Sequence, residues 1–314
     1  MNQIADASAP VSTGETGPLK PAPASVRTIW VLVNPASGGV GPNAAAEVDA
    51  ILSRYDVTAR VVTLDGPHIS KQIAEALQAR PDVLFVLAGD GTARSVASRA
   101  GPDGPLIGPL PGGTMNMLPK ALYGTGNWQE ALERALDEGV AQPVAGGEVD
   151  GEAFYCAAIM GAPALWAPAR EAVREGRLRL AYLYARRALR RAFSGRIRFA
   201  LDDGLREKAE ALVLISPMIS RAMDDNVGLE AAVMKTARTS DAVRLAAHAL
   251  FTDWRRDPSV ETRPTRHVII VSRANIPAVV DGEPMNLGRE ARVRFLPRAF
   301  MALAPDRSDE ETGV

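Results

Sequence analysis

The chain has 314 residues, 46% of them hydrophobic and 23% charged, with a formal net charge of -1. That length exceeds one ordinary core and suits two domains. The even charge balance argues against nucleic-acid binding, so no nucleic-acid partner is expected, and a single cysteine, Cys156, excludes an intrachain disulfide framework and fits a reducing compartment.

No run of about 18 apolar residues occurs, so no transmembrane helix is expected. Residues 1–26 are rich in Ala, Pro, Ser, Thr and Gly and lack the basic start and apolar stretch of a signal peptide. They read as a disordered leader, and the acidic segment 306–314 reads as a loose tail. The expected location is the cytoplasm, with any membrane contact peripheral.

From Thr28 onward short apolar runs alternate with helical patterns. Ile29–Val33, Val57–Leu64, Val83–Leu87 and a segment beginning at Leu106 read as strands. Residues 43–54, 69–79, 92–99 and 128–138 read as helices, and Gly112-Gly113 opens another. Strands separated by helices imply a parallel sheet covered on both faces, so residues 27–142 form an expected α/β nucleotide-binding domain. After residue 143 short strand-like segments take over: 152–159, 196–201, 211–215, 229–234, 267–271, 278–280 and 291–295. Residues 143–305 therefore read as a β-rich, sandwich-like lipid-binding domain, whose last strand has the option of returning to the first domain. A long helix near Leu178–Phe193 interrupts it.

Three strand ends in the first domain finish in small or polar residues: Asn34-Pro35-Ala36-Ser37-Gly38-Gly39, Gly89-Asp90-Gly91-Thr92 and Gly112-Gly113-Thr114-Met115-Asn116. In an open α/β sheet, ligands bind where strand C-terminal ends meet helix N-termini. Glycines there let backbone N–H groups approach an anion, and the helix end adds partial positive charge. Each loop alone is equally a tight turn. Neither GxxxxGK[ST] nor GxGxxG is present, so the residues by themselves reach only a phosphate-binding α/β domain.

In order and spacing, Asn34-Pro35 with Ser37-Gly38-Gly39, Gly89-Asp90-Gly91-Thr92, Gly113-Thr114-Met115-Asn116 and the later Val280-Asp281-Gly282-Glu283-Pro284 resemble the diacylglycerol kinase catalytic-domain family. The resemblance spans roughly residues 28–305. It implies an ATP-dependent kinase acting on a lipid hydroxyl, of the diacylglycerol or the ceramide and sphingoid type, with ATP in the cleft between an α/β domain and a β-sandwich. Carried over, Asn34, Ser37, Gly38 and Thr63 line the nucleotide; Gly89, Asp90, Gly91 and Thr92 wrap the phosphates; and Gly113, Thr114 and Asn116 finish the pocket. Asp90 orients Mg²⁺, and Asp281 and Glu283 are the candidates for the base, with Asp90 as rival. Two apart on a strand, Asp281 and Glu283 would point the same way. Without the resemblance, Asp281-Gly282 reads as a hairpin turn.

The chain departs from the pattern at Ala88, where the family has Gly, at Ser95, where Glu is common, and at Met117, where Asp is common. Met223-Asp224-Asp225-Asn226-Val227-Gly228-Leu229 loosely resembles a family loop holding structural Mg²⁺, which makes Asp225 a candidate ligand. Helical projection of 178–193 gathers Arg179, Arg186, Arg187, Arg190 and Arg191, interleaved with Leu180 and Leu183, on an outer face that suits an anionic bilayer or plain solvent. The histidines His68, His248 and His267 have no metal-ligand spacing. An NAD kinase-like enzyme and a catalytically silent lipid-binding regulator are the alternatives, and a homodimer is compatible with the sequence.

Overall fold

The structure is a computed structural model, and it describes residues 19–23, 25–161, 164, 197–220, 227–234 and 260–306. The arginine-leucine segment 178–193 and the acidic Asp224-Asp225 pair lie outside the described residues.

The first unit runs β1 (Thr28–Val33), α1 (Ala44–Leu52), β2 (Thr58–Thr63), α2 (Ile69–Gln78), β3 (Val83–Ala88), α3 (Asp90–Ala100), β4 (Leu106–Pro111), α4 (Met117–Tyr123) and α5 (Trp128–Glu138). Its strands pair in parallel in the order β2-β1-β3-β4. Val33 lies beside both Thr63 and Leu87, and Ala88 beside Pro111, so the strand C-termini finish at one edge. β3 is buried along its whole length, as a parallel strand covered on both faces must be. The helices bury one stripe each. In α5, Trp128, Ala131, Leu132, Ala135 and Leu136 are buried at helical spacing. Asn127 starts that helix by accepting the Glu130 N–H at 2.9 Å.

Within the expected leader, the described part packs against this unit. Lys20 N–H donates to the Arg54 carbonyl at 2.8 Å, and Val26 is fully buried.

The remaining strands are β5 (Gly139–Val149), β6 (Glu152–Phe154), β7 (Ala157–Gly161), β8 (Ile197–Leu201), β9 (Glu207–Ala209), β10 (Ala211–Ile215), β11 (Leu229–Met234), β12 (Val260–Thr265), β13 (His267–Val271), β14 (Ile276–Val280), β15 (Glu283–Leu287) and β16 (Glu290–Pro305). Strands β12-β11-β10-β7-β14-β15 form a six-stranded antiparallel sheet. The others extend the parallel sheet through β16, giving one sheet of ten strands. The first half of β16 pairs with β13 and β5; after a register slip between Leu296 and Phe300 its second half pairs with β5 and β4. Pro297, which cannot donate to a ladder, sits in that slip. Phe154, Phe199, Leu212, Leu214, Ile270 and Val280 fill the core between the antiparallel part of the large sheet and the six-stranded sheet. The position between residues 142 and 143 expected as a domain boundary therefore falls inside β5, a strand that serves both units.

Three local expectations change. The segment expected as one strand over 152–159 breaks at Tyr155-Cys156, where the backbone N–H groups turn to a side chain, Asp281. The helix after β4 starts at Met117 rather than at Gly112-Gly113, because Asn116 adopts a left-handed backbone (φ 51°) and folds its amide back on Gly113. Asp281 and Glu283 do not share a strand. Asp281 (φ 46°) and Gly282 (φ 89°) form the two-residue turn between β14 and β15, and Val280 pairs with Glu283 across it. Both turn positions require positive φ, which an Asp-Gly pair tolerates best.

Candidate active site

The three loops at the C-terminal edge of the parallel sheet are stitched to one another. Ser37 Oγ accepts the Gly89 N–H at 3.0 Å, tying the β1 loop to the β3 loop. Gly39 N–H donates to the Gly112 carbonyl at 3.2 Å, tying the β1 loop to the β4 loop. Asn116 N–H donates to Asp90 Oδ2 at 3.3 Å, tying the β4 loop to the β3 loop. Each loop is also closed on itself. Asn34 Oδ1 accepts from Ala36 N–H at 3.1 Å, and Asn116 brackets Gly113 by accepting its N–H at 2.7 Å and donating to its carbonyl at 2.9 Å. Glycine is required at 113, since a Cβ there would fall 2.8 Å from Asp90 Oδ2.

Helix α3 begins at Asp90, earlier than its apolar pattern predicts, so the glycine turn is the helix's first turn. The Thr92 and Ala93 N–H groups close on the Gly89 carbonyl at 3.0 and 3.1 Å. The first N–H groups of any helix lack intrahelical acceptors and carry partial positive charge. Ala88 is extended and buried at the end of β3, so the methyl group that replaces the family's glycine meets no backbone demand for positive φ.

The expected nucleotide residues all lie at or beside this edge. Asn34, Ser37 and Gly38 follow β1, and open space surrounds Gly38. Thr63 ends β2, exposed, its carbonyl accepting from Gln72 Nε2 at 3.0 Å. Gly89, Asp90, Gly91 and Thr92 follow β3, and Gly113, Thr114 and Asn116 follow β4. Met115 and Met117, on either side of Asn116, are 47% and 37% exposed. Asp225 lies outside the described residues, among which no group of three or more His, Cys, Asp or Glu could cage a metal.

The second sheet brings one carboxylate to this edge and buries another beside it. Glu283, exposed at the start of β15, places Oε1 3.7 Å from where a Cβ on Gly91 would stand. Asp281 points elsewhere. Its Oδ2 accepts the Tyr155 N–H at 2.7 Å, and its Oδ1 accepts the Cys156 and Ala157 N–H groups, each at 2.9 Å. Burial pushes the Asp281 carboxyl above its ordinary value, while those donors and the Arg94 guanidinium pull it back. Burial also raises the Cys156 thiol well above its ordinary value, and the charges of Asp281 and Asp90 add to the push.

The sequence reading missed two contributors. The Tyr155–Ala157 backbone binds Asp281, and apolar texture cannot reveal a backbone ligand. Arg94 reaches from α3 to the Val280 carbonyl at 3.3 Å; its place one helical turn after Gly91 was the available signal.

The architecture sets three stitched glycine loops at one sheet edge beside a second, antiparallel sheet. Residues 28–149, less than half of the chain, match the family model described as the diacylglycerol kinase catalytic domain. A diacylglycerol kinase from Bacillus anthracis str. Sterne is similar in fold, with a TM-score of 0.66 at 14% identity, covering 90% of this chain and 98% of that one. Two further structures from the same organism, carrying a provisional diacylglycerol kinase description, give TM-scores of 0.68 and 0.66 at 16% and 17% identity with the same coverage. No curated protein matches the chain. No described helix is long and apolar enough to cross a membrane.

Proposed function

We propose that the chain transfers the γ-phosphoryl group of ATP to a lipid hydroxyl, with Glu283 as the base and Asp281 as the residue that holds Glu283's hairpin. The observation that carries this reading is the approach of the Glu283 carboxylate to Gly91, the second residue of the helix whose N-terminus would receive the phosphates. Phosphoryl transfer needs charge neutralisation, in-line positioning and an acceptor for the hydroxyl proton. The backbone N–H groups of the stitched glycine loops suit the first two needs. An exposed carboxylate facing them suits the third.

The acceptor oxygen would bond to the γ-phosphorus as the bond to the bridging β–γ oxygen breaks. ADP would leave, and the hydroxyl proton would pass to Glu283. Asp281 is a poor candidate for that proton, because both of its oxygens already accept backbone N–H groups. A divalent cation fits the residues only as a partner of the nucleotide: Asp90, whose carboxylate accepts one long hydrogen bond, would hold it, and Mg²⁺ at phosphates takes one or two protein carboxylates. It would supply charge neutralisation of the phosphate oxygens. The exposed Met115 and Met117 at the mouth favour an apolar acceptor over a polar one such as NAD. Whether the lipid is a diacylglycerol, a ceramide or a sphingoid base is decided by offering all of them.

The test is incubation of the purified chain with labelled ATP, Mg²⁺ and a panel of diacylglycerol, ceramide, sphingosine and NAD in mixed micelles. Label in one of the lipids supports the reading. Label in NAD with none in any lipid overturns it, and label in nothing favours a silent lipid binder.

A further inference from the structure

Helix α3 meets the second sheet along one stripe. Gly91, Arg94 and Ser98 are spaced by three and four residues and so share a helix face. Each meets a different group of the second sheet or its connections. Gly91 faces the Glu283 carboxylate. Arg94 donates to the Val280 carbonyl at 3.3 Å and stands close enough to Asp281 and Tyr155 to act on the charge of both. Ser98 is beside the buried Tyr155 hydroxyl.

Arg94 is the polar tie in this stripe. Its guanidinium is part-buried, and it crosses 186 positions of sequence to the last residue of β14, directly before the Asp281-Gly282 turn. On the other side of that turn Glu283 opens β15. The turn is therefore fixed from two sides: from the Tyr155–Ala157 backbone through Asp281, and from the phosphate-loop helix through Arg94. Among the described residues, the Arg94 tie links Glu283's hairpin to the same helix whose first turn faces the Glu283 carboxylate. A planar guanidinium suits this place, since it can donate to a carbonyl and face a carboxylate at once.

We propose that Arg94 is a positioning residue that sets the distance between the Glu283 carboxylate and the phosphate loop. This rests on the reading of Glu283 as the base, and in this role Arg94 acts through the hairpin, by its bond to the Val280 carbonyl, rather than on nucleotide or acceptor. Removing the tie leaves Asp281's backbone bonds in place but frees the hairpin to drift from α3. A displacement of roughly 1 Å at a reacting group can cost about a hundredfold in rate.

The test uses the full chain with Arg94→Met and Arg94→Lys. It measures kcat, the KM for ATP, direct binding of ADP with Mg²⁺ by calorimetry, and amide hydrogen exchange of β14 and β15. For Arg94→Met the expected result is a fall in kcat of roughly ten- to a hundredfold, with KM and the ADP dissociation constant nearly unchanged. Exchange should rise in Ile276–Leu287 and stay flat in β1–β4. Arg94→Lys, which keeps the charge and one donor, should recover part of kcat. Weaker ADP binding with kcat unchanged would make Arg94 a nucleotide contact and overturn the proposal. If Arg94→Met does not fold, wild-type kcat and exchange in Arg94→Lys with its ADP affinity lost would do the same. If no acceptor in the panel is labelled, the functional reading fails on its own, while the exchange readout still judges the tie: unchanged hairpin exchange in Arg94→Met overturns it.

Discussion

Asp90 and Asp281 are both aspartates beside glycines at the sites where this chain's two sheets meet, yet their surroundings differ in kind. Asp90 opens a helix, is half-buried, and accepts one long hydrogen bond, from Asn116 N–H at 3.3 Å. Lone pairs remain for a ligand. Asp281 sits in a hairpin turn and accepts N–H groups from three consecutive residues of another strand connection. Its lone pairs are committed to the fold. The comparison separates two settings of one side chain, one with lone pairs open at a loop edge and one clamping a backbone. Lone-pair commitment, rather than residue type or motif membership, distinguishes them. Glu283, one residue past the clamped turn, inherits a fixed position from Asp281 while its own carboxylate stays exposed.

The largest effects should fall on the uncommitted carboxylates. Glu283→Gln is expected to lower kcat by about 10²–10⁴-fold, the usual range for a general base, with the thermal midpoint unchanged. Asp90→Asn keeps the acceptor for Asn116 and loses only charge, so steady-state kinetics should show a loss of at least about tenfold with no loss of fold. Wild-type turnover in either variant would dissolve the contrast from the catalytic side.

Asp281→Asn tests it from the structural side. An amide presents N–H₂ where the carboxylate had its second oxygen, so one backbone donor is left facing a donor. Chemical denaturation should report a loss of about 1–3 kcal/mol, the cost of an unsatisfied buried group. Cys156 then reads the same clamp locally. Burial keeps its thiol protonated at pH 8, so a thiol reagent should label the native chain only as fast as the site opens. Labelling should accelerate in Asp281→Asn; equal rates would show that the clamp does not close that loop.

The smallest effect lies at the opposite edge of the parallel sheet. Asp82 Oδ2 accepts from Thr28 N–H at 2.7 Å and Arg27 N–H at 2.9 Å, and these bonds lower its pKa, the Thr28 backbone bond most. A lowered carboxyl pKa stabilises the fold fully above its unfolded value and loses that contribution as pH falls through the folded one. Acid unfolding below about pH 4 should therefore begin at a slightly higher pH in Asp82→Asn than in the wild type. The difference between the two proteins in unfolding free energy should be largest near neutrality.

The α/β half was legible because its rules are local. Five apolar residues in Val83–Leu87 make a buried strand whatever surrounds them, and the helical spacing over 128–138 reads off directly. β5 escaped notice because Pro143, Gly146 and Gly147 look like linker residues. The glycine at 147 is there for packing, since a Cβ would fall 2.3 Å from the Phe154 ring. The length of β16 was hidden by Pro297, which pattern reading treats as a stop and the sheet absorbs as a register slip. The loop edge was visible as words, whereas the division of labour between Asp281 and Glu283 was not. It depends on Tyr155–Ala157, 124 to 126 positions away, whose contribution is backbone N–H and so independent of side-chain identity.

The central claim is that Glu283 acts at the phosphate edge while Asp281 holds it there. The most direct measurement is turnover of labelled ATP onto the accepted lipid by Glu283→Gln and Asp281→Asn, with unfolding free energy taken on the same preparations well below both midpoints. The account predicts that Glu283→Gln loses rate and keeps its stability, and that Asp281→Asn loses stability and more rate than its folded fraction explains only through a looser hairpin. An Asp281→Asn protein as stable as the wild type but without turnover, beside a fully active Glu283→Gln, would contradict it.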